Sequence, residues 1–139
     1  MPVTIPITAL YGGVFVVILV CLTTRIGVLR ARTGISLLDG GNEQVAVEMR
    51  RHGNFIEHVP ILLLLMAIVE INGAHPVFLH VVGAALVIFR VAHPLGLHYG
   101  RVQTPLRLVG AAGTSLVTIA LGAVALWQGA QTLLEAPTI

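Results

Sequence analysis

Charged residues are scarce in this chain, and lysine is missing altogether. Asp, Glu, Lys and Arg make up only 10% of the 139 residues, and all eight basic residues are arginine. A water-soluble domain usually carries about 25% charged residues, so the composition excludes an ordinary soluble domain. No dense basic run is present, which argues against a nucleic-acid partner. With a mean hydropathy of +0.94, the chain is expected to fold in a membrane.

Other chemical signatures are also missing. Cys21 is the only cysteine, which excludes an intrachain disulfide. The six histidines show no metal-ligand spacing, so we expect no metal site. The sequence contains no P-loop, no Gly-x-Ser-x-Gly nucleophile motif and no dinucleotide-binding fingerprint.

What the chain does have is four long apolar runs. At 1.5 Å per residue, each run is long enough to cross a hydrocarbon core of about 30 Å. Breaker residues separate the runs, and Thr104-Pro105 is typical of a helix start. We predict one all-α domain over residues 1–139, an up-down-up-down bundle of four transmembrane helices. The predicted helices cover about residues 5–29, 43–71, 76–97 and 105–134.

The arginines indicate an orientation in the membrane. They flank the first and third connections, whereas the two termini and the second connection contain none. The positive-inside rule then predicts that both termini face outward and that the arginine-bearing half faces the cytoplasm. The first run lacks a basic leader and a cleavage pattern, so we interpret it as a retained helix.

The second run begins with a polar third that is unusual for a membrane helix. From residue 43 to 71 it would extend roughly 42 Å, and Glu57 would lie about 21 Å from its outer end. Arg90, counted inward from Pro76, lies at about the same depth. Ionisable groups at that depth are costly, pair with one another and mark functional sites. We therefore predict a Glu57–Arg90 pair.

Helical geometry groups further polar residues with this pair. Arg50, Asn54 and Glu57 fall within an arc of roughly 60°, and Arg90 and His93 share a face at i, i+3. Convergence of several arginines on one glutamate would suit a ligand with several carboxylates and one ammonium group.

Simpler interpretations remain open for the same residues. Arg50 and Arg51 could be interfacial anchors whose side chains extend to the headgroups, and for Arg51 we expect this role. Arg107 could equally be an anchor of this kind. Glu57 and Arg90 could form a purely structural buried pair.

The second run also resembles a known family. Arg50-x-x-x-Asn54-x-x-Glu57, followed by a proline and an apolar helix, resembles the MAPEG family, the membrane-associated proteins of eicosanoid and glutathione metabolism. The sequence of residues 51–60 is similar to that of the small bacterial branch of the family. Residues 89–93 and 104–107 resemble the third- and fourth-helix motifs of its prostaglandin E synthase branch. The resemblance covers nearly the whole chain.

The resemblance implies a homotrimer that binds glutathione between neighbouring subunits, in sites open to the cytoplasm. It implies that Arg50, Asn54 and Glu57 hold the glutathione backbone, with Glu57 taking the α-ammonium group. Arg90 and His93 would contact the peptide from the third helix.

The resemblance also assigns residues outside the second and third helices. Arg107 would be the catalytic residue, because a fixed cation favours the ionised form of a thiol. Arg30 would reach a glutathione carboxylate from the neighbouring subunit. Leu97 and Leu108 occupy positions where the prostaglandin E synthase branch has tyrosine and serine, and Tyr99 is the alternative phenol. Prostaglandin isomerase activity is therefore not expected.

Our leading hypothesis is a glutathione-dependent transferase or peroxidase. Its second substrate would be a lipophilic electrophile or a lipid hydroperoxide that enters from the bilayer. The alternative is a noncatalytic trimer that binds a membrane lipid or an anionic cofactor. A transporter is a third option, which the arginines disfavour because they would repel cations.

Overall fold

The computed structural model describes residues 4–135, which form four long α-helices and no β-strand. Each helix is long and apolar enough to cross a membrane, and consecutive helices run in opposite directions. The predicted all-α, integral-membrane four-helix bundle is confirmed. The helices are α1 (Pro6–Thr33), α2 (Glu43–Ile71), α3 (Pro76–Leu95) and α4 (Pro105–Glu135).

The helix ends agree with the predictions to within a few residues. α2 has the predicted bounds. Its start is fixed by Asn42, whose side chain accepts hydrogen bonds from two backbone N–H groups of the first turn. α1 runs four residues further than predicted and ends only at Gly34, whose φ of 70° is left-handed. α3 ends two residues earlier than predicted, where the N–H of Gly96 bonds to the carbonyls of Ala92 and His93.

The helices surround a continuous apolar core. Around the bundle the order is α1, α2, α4, α3, and α2 also contacts α3 across the centre. The outward surface is apolar too, as the exposed Val17, Ile88 and Leu126 illustrate, which is what a lipid solvent requires. The largest fully buried side chains include Phe15, Leu62, Met66, Leu79, Leu86 and Leu121.

Glycines bring α3 and α4 close together. A Cβ atom added at Gly110 would lie 2.7 Å from the Cα of His93, and one added at Gly113 would overlap the ring of Phe89. Helices in lipid associate mainly by close van der Waals packing, which favours small residues at the contact. Gly110 and Gly113 therefore set the distance between α4 and the polar residues of α3.

The end of the bundle next to the 72–75 turn is fixed by hydrogen bonds between helices. The carboxylate of Glu70 accepts from the backbone N–H groups of Ile7 (2.9 Å) and Thr8 (2.8 Å). These are two of the donors that the start of α1 leaves unpaired, and Ile5 offers no side-chain cap. Glu70 therefore caps α1 from another helix.

Candidate functional site

The half of the bundle nearest residues 34–42 and 96–104 contains all eight arginines, and we call it the basic end. Among residues 4–135, no group of three or more His, Cys, Asp or Glu side chains is placed to hold a metal ion. The guanidinium groups of the basic end fall into separate clusters.

Arg90 lies at the centre of a buried cluster. It is 2% exposed, and its Nη1 donates to Asn54 Oδ1 at 2.9 Å while its Nη2 donates to the carbonyl of Gly110 at 3.3 Å. These bonds join α2, α3 and α4. The Nε of Arg90 is buried and has no partner among the described residues. His93, one turn away on the same helix, is also buried.

The predicted Glu57–Arg90 pair is wrong. Glu57 Oε1 instead accepts from Arg50 Nη1 at 2.9 Å. The two residues are seven positions apart on α2 and share one face, which points out of the bundle. Their side chains are 49% and 56% exposed. Asn54 lies between them in sequence and turns inward, so it takes the place beside Arg90 that we predicted for Glu57.

A cavity of about 300 Å³ lies between α2 and the 96–104 connection. Arg50, Tyr99 and Arg107 all line it, and we call it the Arg107 cavity. Tyr99 is 60% exposed, whereas Leu97 is buried, so Tyr99 supplies the phenol at this cavity. Arg107 Nη1 donates to the carbonyl of Val102 at 2.7 Å. Its Nη2 and Nε form no hydrogen bond within residues 4–135.

The first turn of α4 is held against the end of α3. Thr104 Oγ1 accepts from the N–H of Arg107 at 3.3 Å and donates to the carbonyl of Gly96. The predicted helix start at Thr104-Pro105 is thereby confirmed. Any side chain at Gly96 would overlap the backbone nitrogen of Arg107. Glycine at this position thus allows the approach that places Arg107 beside the connection carrying Tyr99.

The interpretation of Arg51 as an interfacial anchor is wrong. Its side chain is only 15% exposed, and its Nη1 donates to Glu48 Oε1 at 2.7 Å. Its Nη2 donates to the carbonyl of Leu97 at 2.8 Å. Arg25 Nη2 donates to the same Glu48 oxygen at 2.8 Å. We call Arg25, Glu48 and Arg51 the Glu48 cluster; it joins α1, α2 and the 96–104 connection.

Sequence reasoning missed the Glu48 cluster. The i, i+3 spacing of Glu48 and Arg51 was an available signal, because residues so spaced on a helix are neighbours. Arg25 could not have been assigned to them, since nothing in the sequence shows which face of α1 meets α2.

Arg30 lies apart from the Arg107 cavity. Its Nη1 donates to the carbonyl of Ile35 at 3.1 Å, and its Nη2 contacts Met49 Sδ at 3.2 Å. With Met49 and His52 it lines another cavity of about 280 Å³, on a different face of α2 from Arg50. Within one chain, therefore, Arg30 does not join Arg50 and Arg107.

Comparison with known proteins places this arrangement in a family. The sequence matches the MAPEG family over residues 8–127, which includes every candidate site residue. The chain belongs to the MAPEG family. This result confirms the resemblance seen in the second, third and fourth helices. The Arg107 cavity and the cavity lined by Arg30 are thus features of a MAPEG subunit.

The curated relatives of this MAPEG protein include bacterial membrane proteins. It is 31% identical over 93 residues to the inner membrane protein YecN of Escherichia coli strain K12, covering 67% of this chain and 71% of YecN. YecN of the Escherichia coli O6:H1 strain matches to the same extent. No solved structure matches the chain.

Proposed function

We propose that this MAPEG protein binds glutathione at the basic end and activates its thiol. The activated sulfur would form a thioether with a lipophilic electrophile, or two glutathione molecules would reduce a lipid hydroperoxide to its alcohol and water and leave as the disulfide. The protein would then be a membrane-bound transferase or peroxidase. The observation that carries the proposal is that Arg50, Tyr99 and Arg107 line one cavity. Glu57 is paired with Arg50 on the exposed face of α2.

The residues present fit the chemistry of glutathione, which has two carboxylates, one ammonium group and one thiol. Arg50 and Arg107 supply cations for the anionic groups, and guanidinium groups bind carboxylates well. Glu57 supplies an acceptor for the ammonium group. The unpartnered Nε of Arg90 is a further donor in the adjoining buried cluster, where Asn54 and His93 contribute polar groups.

Glutathione would supply the sulfur nucleophile, and the chain would supply its electrostatic environment. Arg107 has two guanidinium nitrogens without a partner in the described part of the chain. Its fixed positive charge would favour the thiolate over the thiol. The exposed hydroxyl of Tyr99 would donate a hydrogen bond to charge that develops in the transition state.

A homotrimer would complete such a site, and the exposed Arg50–Glu57 pair supports this arrangement. Glu57 is the middle residue of α2, a helix that crosses the membrane. At about 21 Å from the outer end of α2, Glu57 lies within a hydrocarbon core of about 30 Å. A charged side chain in that core is costly, up to about 2.5–3.5 kcal/mol at its centre on insertion scales. A neighbouring subunit that covers this face would remove that cost. It would also allow the neighbour's Arg30, on its separate face, to approach the Arg107 cavity.

We further propose that the protein lies in the inner membrane with its basic end toward the cytoplasm. The relative YecN is named an inner membrane protein. The arginines are confined to one half of the bundle, as the positive-inside rule requires of the cytoplasmic side. Both termini would then face outward.

The test is an ultraviolet titration that follows thiolate absorbance as glutathione is added to the detergent-purified protein. We expect a saturable thiolate signal in the wild type, a weaker one in Arg107→Lys and none in Arg107→Ala. An undiminished signal in Arg107→Ala would refute the assigned role. Calorimetric binding without any thiolate signal would favour the noncatalytic alternative.

A further inference from the structure

A cavity of about 640 Å³, larger than the Arg107 cavity, lies between α1, the start of α2 and residues 97–99. Its walls are two helical stripes that face each other, each with the i, i+3, i+4, i+7 spacing of one helix face. We call it the Arg32 cavity. The stripes consist of Arg25, Val28, Leu29 and Arg32 on α1 and of Gln44, Val47, Glu48 and Arg51 on α2.

Some charged groups in this cavity have ion-pair partners and others have none. Glu48 already accepts hydrogen bonds from both Arg25 and Arg51. Arg32 forms no hydrogen bond or ion pair with any described residue, and the Nε of Arg51 is buried without a partner there. Glu43 also lines the cavity, but it forms no ion pair within residues 4–135. The cavity therefore has three guanidinium groups and two carboxylates. The guanidinium group of Arg32 has no hydrogen-bond or ion-pair partner among the described residues.

The spacing of the arginines along α1 is comparable to the thickness of a lipid headgroup layer. Arg25 and Arg32 are seven residues apart on α1, which corresponds to roughly 10 Å along the membrane normal. The polar layer on each side of a bilayer is about 5–8 Å thick, from a total of 40–45 Å and a core of 30 Å. Two guanidinium groups at this spacing can reach both boundaries of that layer.

An apolar track leads from the arginines toward the centre of the membrane. Val14, Val17 and Cys21 are exposed on the face of α1 that continues the stripe beyond Arg25. Exposed apolar side chains below and guanidinium groups above match an amphiphile with an anionic head and hydrocarbon tails.

We propose that the Arg32 cavity binds the phosphate headgroup of an anionic membrane phospholipid. Arg25 and Arg32 would donate to the phosphate oxygens, and the acyl chains would lie along the exposed face of α1. Guanidinium groups bind phosphate in a bidentate manner, and the Glu48 cluster holds two of the three arginines in place before the lipid arrives. The cavity is thus a lipid site separate from the Arg107 cavity, with which it shares the wall formed by residues 97–99.

The test is native mass spectrometry of the detergent-purified full chain with phosphatidylglycerol, phosphatidylcholine of the same acyl chains, or glycerol phosphate. Arg32→Gln is the informative variant, because it removes a charge from the cavity without breaking any hydrogen bond or ion pair of the described chain. Arg101→Gln removes the same charge from the 96–104 connection, outside this cavity. One arginine near the membrane surface contributes about 1 kcal/mol, so we expect Arg32→Gln to weaken phosphatidylglycerol binding about fivefold. Arg101→Gln should leave it unchanged.

Phosphatidylcholine should bind more weakly than phosphatidylglycerol, and glycerol phosphate should not compete with it. Three results would each overturn the proposal. Equal phosphatidylglycerol affinity in the wild type and Arg32→Gln would show that the arginine does not face the lipid. Effective competition by glycerol phosphate would indicate a site for soluble anions. Absence of bound phosphatidylglycerol would mean that another subunit or the chain itself fills the cavity. No thiol is present in this assay, so its outcome is independent of glutathione binding.

Discussion

Arg51 donates its Nη2–H to the carbonyl of Leu97 at 2.8 Å, a bond between residues 46 positions apart. It fixes the connection between α3 and α4 to the start of α2. Tyr99 follows two residues later and lines both the Arg107 and the Arg32 cavities. Because Arg51 is itself held by Glu48, the geometry of both cavities depends on a carboxylate that lies in α2.

Replacing Glu48 with glutamine should therefore loosen the 96–104 connection. The change removes the charge that pairs with Arg25 and Arg51 while keeping the side-chain size. Removing one partner of a fully buried ion pair costs about 3–5 kcal/mol; since Arg25 is largely exposed, we expect roughly 1–3 kcal/mol here. Thermal unfolding in detergent should show a lower midpoint, and amide exchange at Tyr99 should accelerate. Glu43→Gln, which breaks no ion pair of the described chain, is the control, and equal behaviour of the two variants would contradict this account.

Alanine at Gly110 should separate α3 from α4. Its Cβ would lie 2.7 Å from the Cα of His93, so the backbones must move apart and the bond from Arg90 to the Gly110 carbonyl must lengthen. Overpacking of this kind costs about 1–3 kcal/mol, measurable as a lower unfolding midpoint. Gly129→Ala is a matched control on the same helix, where a Cβ meets nothing within 4 Å. That variant should be neutral or slightly stabilised, because alanine favours helix; an equal loss in both variants would refute the packing argument.

The positions of the helices could be predicted because, in a membrane, they follow from the hydrophobicity and the helix-end signals of neighbouring residues. Long apolar runs predict the spans, and Thr104-Pro105 predicts the start of α4. The apolar pattern ends α1 four residues too early, because the helix continues to the left-handed Gly34. Each of these signals is contained in a few neighbouring residues.

The partners of the charged side chains could not be predicted in the same way. Arg90 and Glu57 do lie at similar depth, yet Arg90 bonds to Asn54, because which face of α2 meets α3 is decided by packing of the whole bundle. Depth alone leaves the rotation of each helix unknown. For the same reason the sequence does not pair Arg25 with Glu48, and it favours an interfacial anchor at Arg51 over the bonds that Arg51 forms with Glu48 and Leu97.

Removal of the Glu70 carboxylate should destabilise the start of α1 without affecting the basic end. In Glu70→Ala the N–H groups of Ile7 and Thr8 lose their acceptor, and loss of a helix N-cap typically costs about 1 kcal/mol. Amide exchange should accelerate in the first turn of α1. Glutathione affinity should be unchanged, since the Arg107 cavity lies at the other end. A parallel loss of glutathione binding would show that the two ends are coupled.

Glu57 should discriminate between glutathione and an analogue that lacks the α-amino group. Glu57→Gln removes the carboxylate that would pair with the ammonium group, and hydrogen bonds to charged groups contribute about 1.5–3 kcal/mol. Because this side chain is half exposed, we expect the lower part of that range, about a tenfold loss of glutathione affinity by calorimetry. Affinity for the deaminated analogue should not fall. A comparable loss for both ligands would instead indicate that Glu57 only orients Arg50.

Tyr99 and Tyr11, the two tyrosines of the chain, provide a matched pair for testing the phenol at the Arg107 cavity. Tyr99→Phe removes a hydroxyl exposed at that cavity, whereas Tyr11→Phe removes one that donates to the carbonyl of His80 at 3.0 Å, between α1 and α3. Loss of a hydrogen-bond donor to transition-state charge lowers kcat by roughly 10²–10³-fold when the donor is fully preorganised. For the exposed Tyr99 we expect a decrease of about tenfold in kcat with a chromogenic electrophile, at unchanged glutathione affinity.

Tyr11→Phe should keep full turnover. Equal kcat in Tyr99→Phe and the wild type would leave Arg107 as the sole stabilising group, and a rise in KM alone would mean that Tyr99 binds the electrophile and takes no part in the chemical step.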